Sequence, residues 1–405
     1  MINKRKYFFV CIIIIIIVGV VMACNAESTD TKVINIVRYP EAPDYTTFFN
    51  SNKFPEEKDE NLGFDVRSTD LSSEDLTSRL DDLLYSTYDS KTKWPEKLPE
   101  EFNPTELMDL YKNPGFNIRE LHKQGITGKG VGIAIIDQTL LVDHVEYKDR
   151  IKLYEENEYA GKYEAQMHGP AVASIAVGKT VGVAPDADLY YIAGDFGTVN
   201  NNNFEYDFSF LAKNINRILE VNESLPDANK IRVISITIGW NSSQKGYEEV
   251  TEAVNKAKEE GILVVSSSLR ETFGYKFHGL GKYPMSDADN LESYKPGSWW
   301  EYNTEGILGY STSVPYLFAP MDFRCTAAPT GANDYAVYSS GGWSWTIPYI
   351  AGVYALACQV KPDITYDEFW NIALETGNSI NINSNGHDHI MEKIINPIGI
   401  IDRLK

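Results

Sequence analysis

The chain has 405 residues, of which 43% are hydrophobic, 12% aromatic and 23% charged, and its formal net charge is −20. This is the composition of an ordinary globular protein with material for a substantial core, long enough for one large domain or two smaller ones. A charge this negative repels nucleic acid and anionic lipid headgroups, so neither is expected as a partner.

The first 24 residues read as an export signal. Lys4, Arg5 and Lys6 make a basic start, Tyr7 to Val20 an apolar stretch, and Val21-Met22-Ala23-Cys24 a small-residue ending before a cysteine. That ending resembles a bacterial lipobox. The resemblance implies cleavage before Cys24, lipidation of its thiol, and an extracytoplasmic chain anchored by lipid to the cell membrane. Ordinary signal cleavage and an uncleaved membrane anchor stand as alternatives. With Cys11 in the signal and Cys24 lipidated, Cys325 and Cys358 remain, and export permits a disulfide between them without requiring it. No Cys or His cluster has zinc-ligand spacing, so no metal is expected. His389 and His387, on either side of Asp388, read as solvated surface.

Residues 25 to about 60 are polar and acidic and read as a tether. Between 61 and 104 the spacing of Leu76, Leu80, Leu83 and Leu84 predicts one helix, closed by Trp94-Pro95 and Leu98-Pro99. This piece is too short for an independent core of much strength and is expected to pack on the main domain as an N-terminal extension. From about 105 to 405 the pattern becomes that of the larger domain. Apolar runs Val131–Ile136, Leu189–Ala193, Val233–Ile238 and Ile262–Val265 suit buried strands. Helices are predicted over 169–177, 205–221 and 247–259, from Ser344 to about Val360, and from Thr365, whose spacing to Glu368 makes a capping box. Strands buried on both faces and separated by helices predict an α/β fold, a parallel twisted sheet with helices on both faces.

Three blocks carry chemistry. The first, Leu121 to Asp137, ends an apolar strand on a carboxylate, at the sheet edge where open α/β proteins place their sites. The second opens a helix with His168 and Gly169, its small residues Ala171, Ala173 and Ala176 suiting close packing on a sheet, and continues with Gly182 to Pro185. In the third, Gly341 and Gly342 lead through Trp343 to Ser344 at a helix start, where developing negative charge is favoured. Each block has an ordinary structural reading: a strand-end aspartate, a surface or capping histidine, a serine N-cap.

In this order the blocks resemble the subtilisin family of serine peptidases. Leu121 to Asp137 is similar to the family's aspartate block, with His144 where that block often has a histidine. His168-Gly169 with Val172-Ala173 matches the histidine block, and Gly182 to Pro185 the segment after it. Val233 to Gly239 looks like the substrate-lining strand and Ala319-Pro320 like the turn ahead of the serine block. Gly342, Ser344, Pro348, Ala351 and Gly352 match the serine block itself. The resemblance implies a three-layer α/β/α fold, a catalytic triad of Asp137, His168 and Ser344, and hydrolysis through an acyl-enzyme. Ser344 would attack, His168 would take its proton, and Asp137 would fix the imidazole tautomer. The implied substrate-binding residues are Thr237, Ile238, Gly239, Ser268, Leu269 and Trp343. No cofactor is implied. The expected partner is a polypeptide substrate, membrane contact is through the lipid at Cys24 alone, and the chain is expected to be a monomer.

The pattern departs from the family at Arg270, which stands where an oxyanion-hole asparagine is usual. Either its guanidinium, with five donors, serves the oxyanion, or the hole is degraded and Arg270 is a surface residue. The second case makes the chain a binding protein on a subtilisin fold with impaired catalysis. Trp343 and Trp345 beside Ser344 imply either an aromatic-walled pocket or plain packing. The segment after Gly182 leaves no room for a calcium loop. The insert from Glu271 to about Tyr310 is expected to overhang the cleft.

Overall fold

Buried apolar runs pair in parallel to build the centre of the protein, described here by a computed structural model over residues 35–47, 52–59, 63–157, 163–200 (199 and 200 by backbone alone), 203–308, 314–384 and 386–405. The stretch read from sequence as an export signal, with Cys24, lies outside the described residues. In chain order the strands are β1 (Asn35–Ile36), β2 (Phe64–Asp65), β3 (Ser86–Asp89), β4 (Gly132–Asp137), β5 (Ile151–Asn157), β6 (Asp188–Gly194), β7 (Gly197–Asn200), β8 (Asn203–Tyr206), β9 (Ile231–Ile236) and β10 (Leu263–Ser266). They continue with β11 (Lys276–Lys282), β12 (Tyr294–Pro296), β13 (Tyr316–Pro320), β14 (Arg324–Ala327), β15 (Tyr335–Tyr338), β16 (Asn378–Ser384) and β17 (His387–Ile394).

The central sheet runs β1-β5-β6-β4-β9-β10, with every pairing parallel. Its middle strand β4 is buried at every position, which is why it reads as a continuous apolar run rather than an alternation. Successive side chains point to opposite faces. Ile133, Ile135, Tyr191, Val233 and Val265 pack with helices His168–Val177 and Trp343–Val360 on one side. Ala134, Ile136, Ile192, Ile234 and Val264 pack with helices Ser209–Glu223 and Tyr247–Glu259 on the other. This is the three-layer α/β/α arrangement that the sequence implies. Thr365 caps the helix Tyr366–Glu375, its hydroxyl accepting from Glu368 N–H at 3.1 Å.

Two expectations are revised. The helix foreseen over 205–221 starts at Ser209, because 203–206 pairs antiparallel with Gly197–Asn200 as a hairpin. Asp207, just ahead of the helix, accepts from Ser209 N–H and Oγ. The helix through Leu76 shrinks to Leu80–Leu84. Asp70 and Asp75 instead accept from the N–H groups of Ser72 and Thr77, closing two Asx turns five residues apart. Leu71 and Leu76 N–H donate across to Lys93 and Lys97 carbonyls, which a helix would have forbidden. The N-terminal extension packs on the larger domain. Residues 35–405 form one unit, β1 joins the central sheet, and β3 pairs with β15 in the sheet β14-β15-β3-β2.

Cys325 and Cys358 are free, buried thiols. They sit in different hydrophobic clusters, one under the N-terminal region and one in the main core.

Candidate active site

Asp137 ends β4 at the carboxyl edge of the sheet and is 2% exposed. Its Oδ1 accepts from His168 Nδ1 at 2.8 Å and from Gln138 N–H at 2.8 Å, and its Oδ2 accepts from the Thr237 hydroxyl. A carboxylate accepts only, so Nδ1 carries the proton and Nε2 is left as the acceptor. His168 begins its helix directly against this strand. The approach is so close that a Cβ on Gly169 would meet Gln138 O and Tyr191 Oη, both at 2.6 Å. Burial alone would hold the His168 imidazole low. The Asp137 charge and hydrogen bond outweigh it, and the ring lies above its ordinary value. Burial likewise pushes Asp137 up, but His168, Thr237 and Gln138 leave it below the usual carboxylate value.

Ser344 is the second residue of the helix Trp343–Val360. It lines, together with His168, a cavity of about 180 Å³ whose other walls include Met167, Tyr338, Trp345 and Trp299. No hydrogen bond joins the two among the described residues. Catalytic contacts are often long in the ligand-free state and tighten with substrate. The Trp345 indole lies 5.3 Å from the His168 ring and meets Tyr338 edge-on at 5.1 Å. Trp299 comes from the 271–310 insert, and a Cβ on Gly342 would meet its ring at 2.8 Å, so the insert covers the loop that presents Ser344.

Arg270 lines a neighbouring cavity of about 190 Å³, with Trp343, Glu271, Tyr275 and Tyr316. The structure thus brings Arg270 beside Trp343 rather than into the cavity of His168 and Ser344. Thr237, Ile238 and Gly239 are half-buried along the edge of the site. Ser268 and Leu269, read from sequence as substrate-lining, are internal. Leu269 is fully buried in the core, and the Ser268 hydroxyl ties the two strand ends together by accepting from Trp240 N–H at 2.7 Å and donating to Trp240 O at 2.8 Å. Glu146 is also internal, accepting from Thr180 N–H and from the hydroxyls of Thr180 and Tyr335.

Two supporting residues carry no sequence signal. Asp322, buried and pushed up to about 6 by that burial, accepts from Gly341 N–H and Ser298 N–H, each at 2.8 Å. It therefore fixes both the loop before Ser344 and the segment carrying Trp299. His278, held down near 4 by burial, keeps Nδ1 free of a proton to accept from Gly279 N–H at 3.0 Å and the Trp343 indole N–H at 3.3 Å. The spacing Ala319-Pro320 marks the turn nearby, but nothing local tells that a carboxylate two residues later folds back on the serine loop.

A parallel sheet between two helical layers, with these groups at its carboxyl edge, makes this a three-layer α/β/α protein. Residues 128–385 match the Subtilase family, peptidase S8, and the chain belongs to that family. It is similar to Serine protease AprX of Bacillus subtilis (strain 168), 24% identical over 274 residues that cover 60% of each chain. It is similar also to Subtilisin-like protease PopC of Myxococcus xanthus (strain DK1622), 22% identical over 285 residues covering 62% of this chain and 56% of that one. The chain thus spans about 60% of the length of these curated relatives. The solved structure of prenylagaramide maturation protease PagA aligns over 71% of this chain and 98% of that one, with a TM-score of 0.46 and 15% identity.

Proposed function

We propose that this chain is a serine endopeptidase, exported and lipid-anchored through Cys24, that hydrolyses polypeptides through an acyl-enzyme on Ser344. The observation that carries the reading is the 2.8 Å bond from His168 Nδ1 to a buried Asp137, with Ser344 on the wall of the same cavity. With Nδ1–H held by Asp137, His168 Nε2 accepts the Ser344 proton as Oγ attacks the carbonyl carbon. The Ser344 N–H, at the helix N-terminus, donates to the oxyanion. His168 then passes its proton to the leaving amine, and water releases the acyl group by the same steps in reverse. Trp299, Trp345 and Tyr338 favour apolar substrate side chains beside the scissile bond.

A fluorophosphonate probe applied to the native chain and to Ser344→Ala tests this directly. Labelling of the native chain alone is expected. An unlabelled native chain would overturn the enzyme reading in favour of a subtilisin-fold binding protein. Palmitate labelling that survives Cys24→Ala would overturn the anchor.

A further inference from the structure

Burial of cations in this protein is not matched by burial of anions in one place. Arg324 opens β14 and is 3% exposed. Its Nε, Nη1 and Nη2 are all buried, and none has a hydrogen-bond partner among the described residues. The guanidinium carbon stands 5.5 Å from the centre of the Tyr349 ring, and the fully buried Tyr349 hydroxyl also lacks a partner. A second cation, Lys282, ends β11 at 2% exposure, close enough for the Arg324 charge to repel it. Its Nζ donates to Ser286 O at 2.9 Å and lies 4.6 Å from the Tyr111 ring centre. Neither cation takes part in an ion pair among the described residues.

An arginine does not escape burial by losing its proton, and the face of one tyrosine ring offsets only part of the lost hydration. Five N–H donors and a phenol O–H remain without acceptors in a place where polar groups are ordinarily satisfied. We propose that Arg324, Tyr349 and Lys282 form an internal binding site for a small monovalent anion, of halide or nitrate size. The anion supplies the missing counter-charge and accepts from the guanidinium and the phenol. Burial, reinforced by the Arg324 charge and only partly offset by Asp287, brings Lys282 down to about 7, and a bound anion would push it back up. The position couples the site to the catalytic loop. Tyr349 lies on the helix that carries Ser344, and Arg324 follows Asp322, which holds Gly341.

Thermal unfolding of the full chain at constant ionic strength tests this, with chloride, bromide or nitrate replacing gluconate. The melting temperature is expected to rise by at least about 2 °C and to saturate with the small anions. Arg324→Met is expected to abolish that rise. Equal melting temperatures in all four salts would overturn the proposal and leave water as the partner of Arg324, and so would a rise that persists in Arg324→Met. Should the variant not fold, native crystals soaked in bromide decide. An anomalous peak within hydrogen-bonding reach of the guanidinium supports the site, and its absence there sinks it.

Discussion

Asp137→Asn separates the two services that the carboxylate renders, orientation and charge. Oδ1 faces two donors, the Gln138 N–H and the His168 Nδ1–H, while Oδ2 faces the Thr237 hydroxyl. The Gln138 donor is backbone and fixed; the hydroxyl rotates and can accept instead of donate. The amide of the variant should therefore place its oxygen at the Oδ1 position and its NH2 toward Thr237. The imidazole keeps the right tautomer, and only the charge is lost. A hydrogen bond to a charged group contributes about 1.5–3 kcal/mol. Loss of that charge should then slow turnover by about 10- to 200-fold. The inverted amide would instead force the wrong tautomer, with a loss of about 10,000-fold. Steady-state hydrolysis of a peptide substrate at alkaline pH, comparing native and variant, distinguishes the two. A loss as large as about 10,000-fold would refute the reasoning from the Gln138 N–H.

Protonation of His168 removes the base, and its folded value lies above the ordinary value of about 6.5. The acid limb of kcat/KM should have its midpoint above that ordinary value; a midpoint below it contradicts the Asp137 effect. The sign for stability is opposite: a raised histidine stabilises fully below its unfolded value and loses that contribution as pH rises through the folded one. Chemical denaturation from about pH 6 to pH 9 should therefore show a decline that is missing in His168→Gln. Arg270→Ala should raise KM and leave turnover within about tenfold of native, since Arg270 lines the cavity of Trp343. If turnover instead fell by about 100-fold or more, the guanidinium would be reaching the oxyanion. Asp322→Ala strands the buried donors of Gly341 and Ser298 at about 1–3 kcal/mol each, lowering both melting temperature and turnover. Asp322→Asn, which keeps one acceptor, should restore part of each. A fragment beginning at residue 105 should be inactive and poorly folded, and a stable, active fragment would show that the earlier strands are dispensable.

The central sheet was legible because β4, β6, β9 and β10 are buried on both faces and so read as predominantly apolar runs rather than alternations. The residues at their ends, Asp137 above all, follow from the strand boundary. Less was legible where contacts join distant segments. Leu76, Leu80, Leu83 and Leu84 mimic a helical stripe, but the Asp70 and Asp75 side chains of two Asx turns take backbone N–H groups ahead of Leu80. Ser268 resembles a cleft residue in sequence, yet its hydroxyl is spent on Trp240. Trp299 and His278 act on the site because the insert folds back over Gly342, and Asp322 because the chain after Pro320 returns to Gly341; no periodicity encodes either return.

The region before residue 105 is tied to the sheets at several points. Short strands need few apolar residues when their hydrogen bonds go to a sheet already built. β1 adds two residues to the edge beside β5, and Arg38 grips Glu156 at 2.7 Å. β3 lies against β15, whose last residue is Tyr338. Arg67, held by Asp65, donates to the Tyr338 hydroxyl at 3.2 Å. Tyr338 meets Trp345 edge-on, and Trp345 rests against His168. A cation from the region before residue 105 thus props the aromatic wall of the cavity that holds the catalytic candidates. Cutting that region away removes a support of the site along with a strand of the sheet, which sets it apart from a segment that merely covers a finished enzyme.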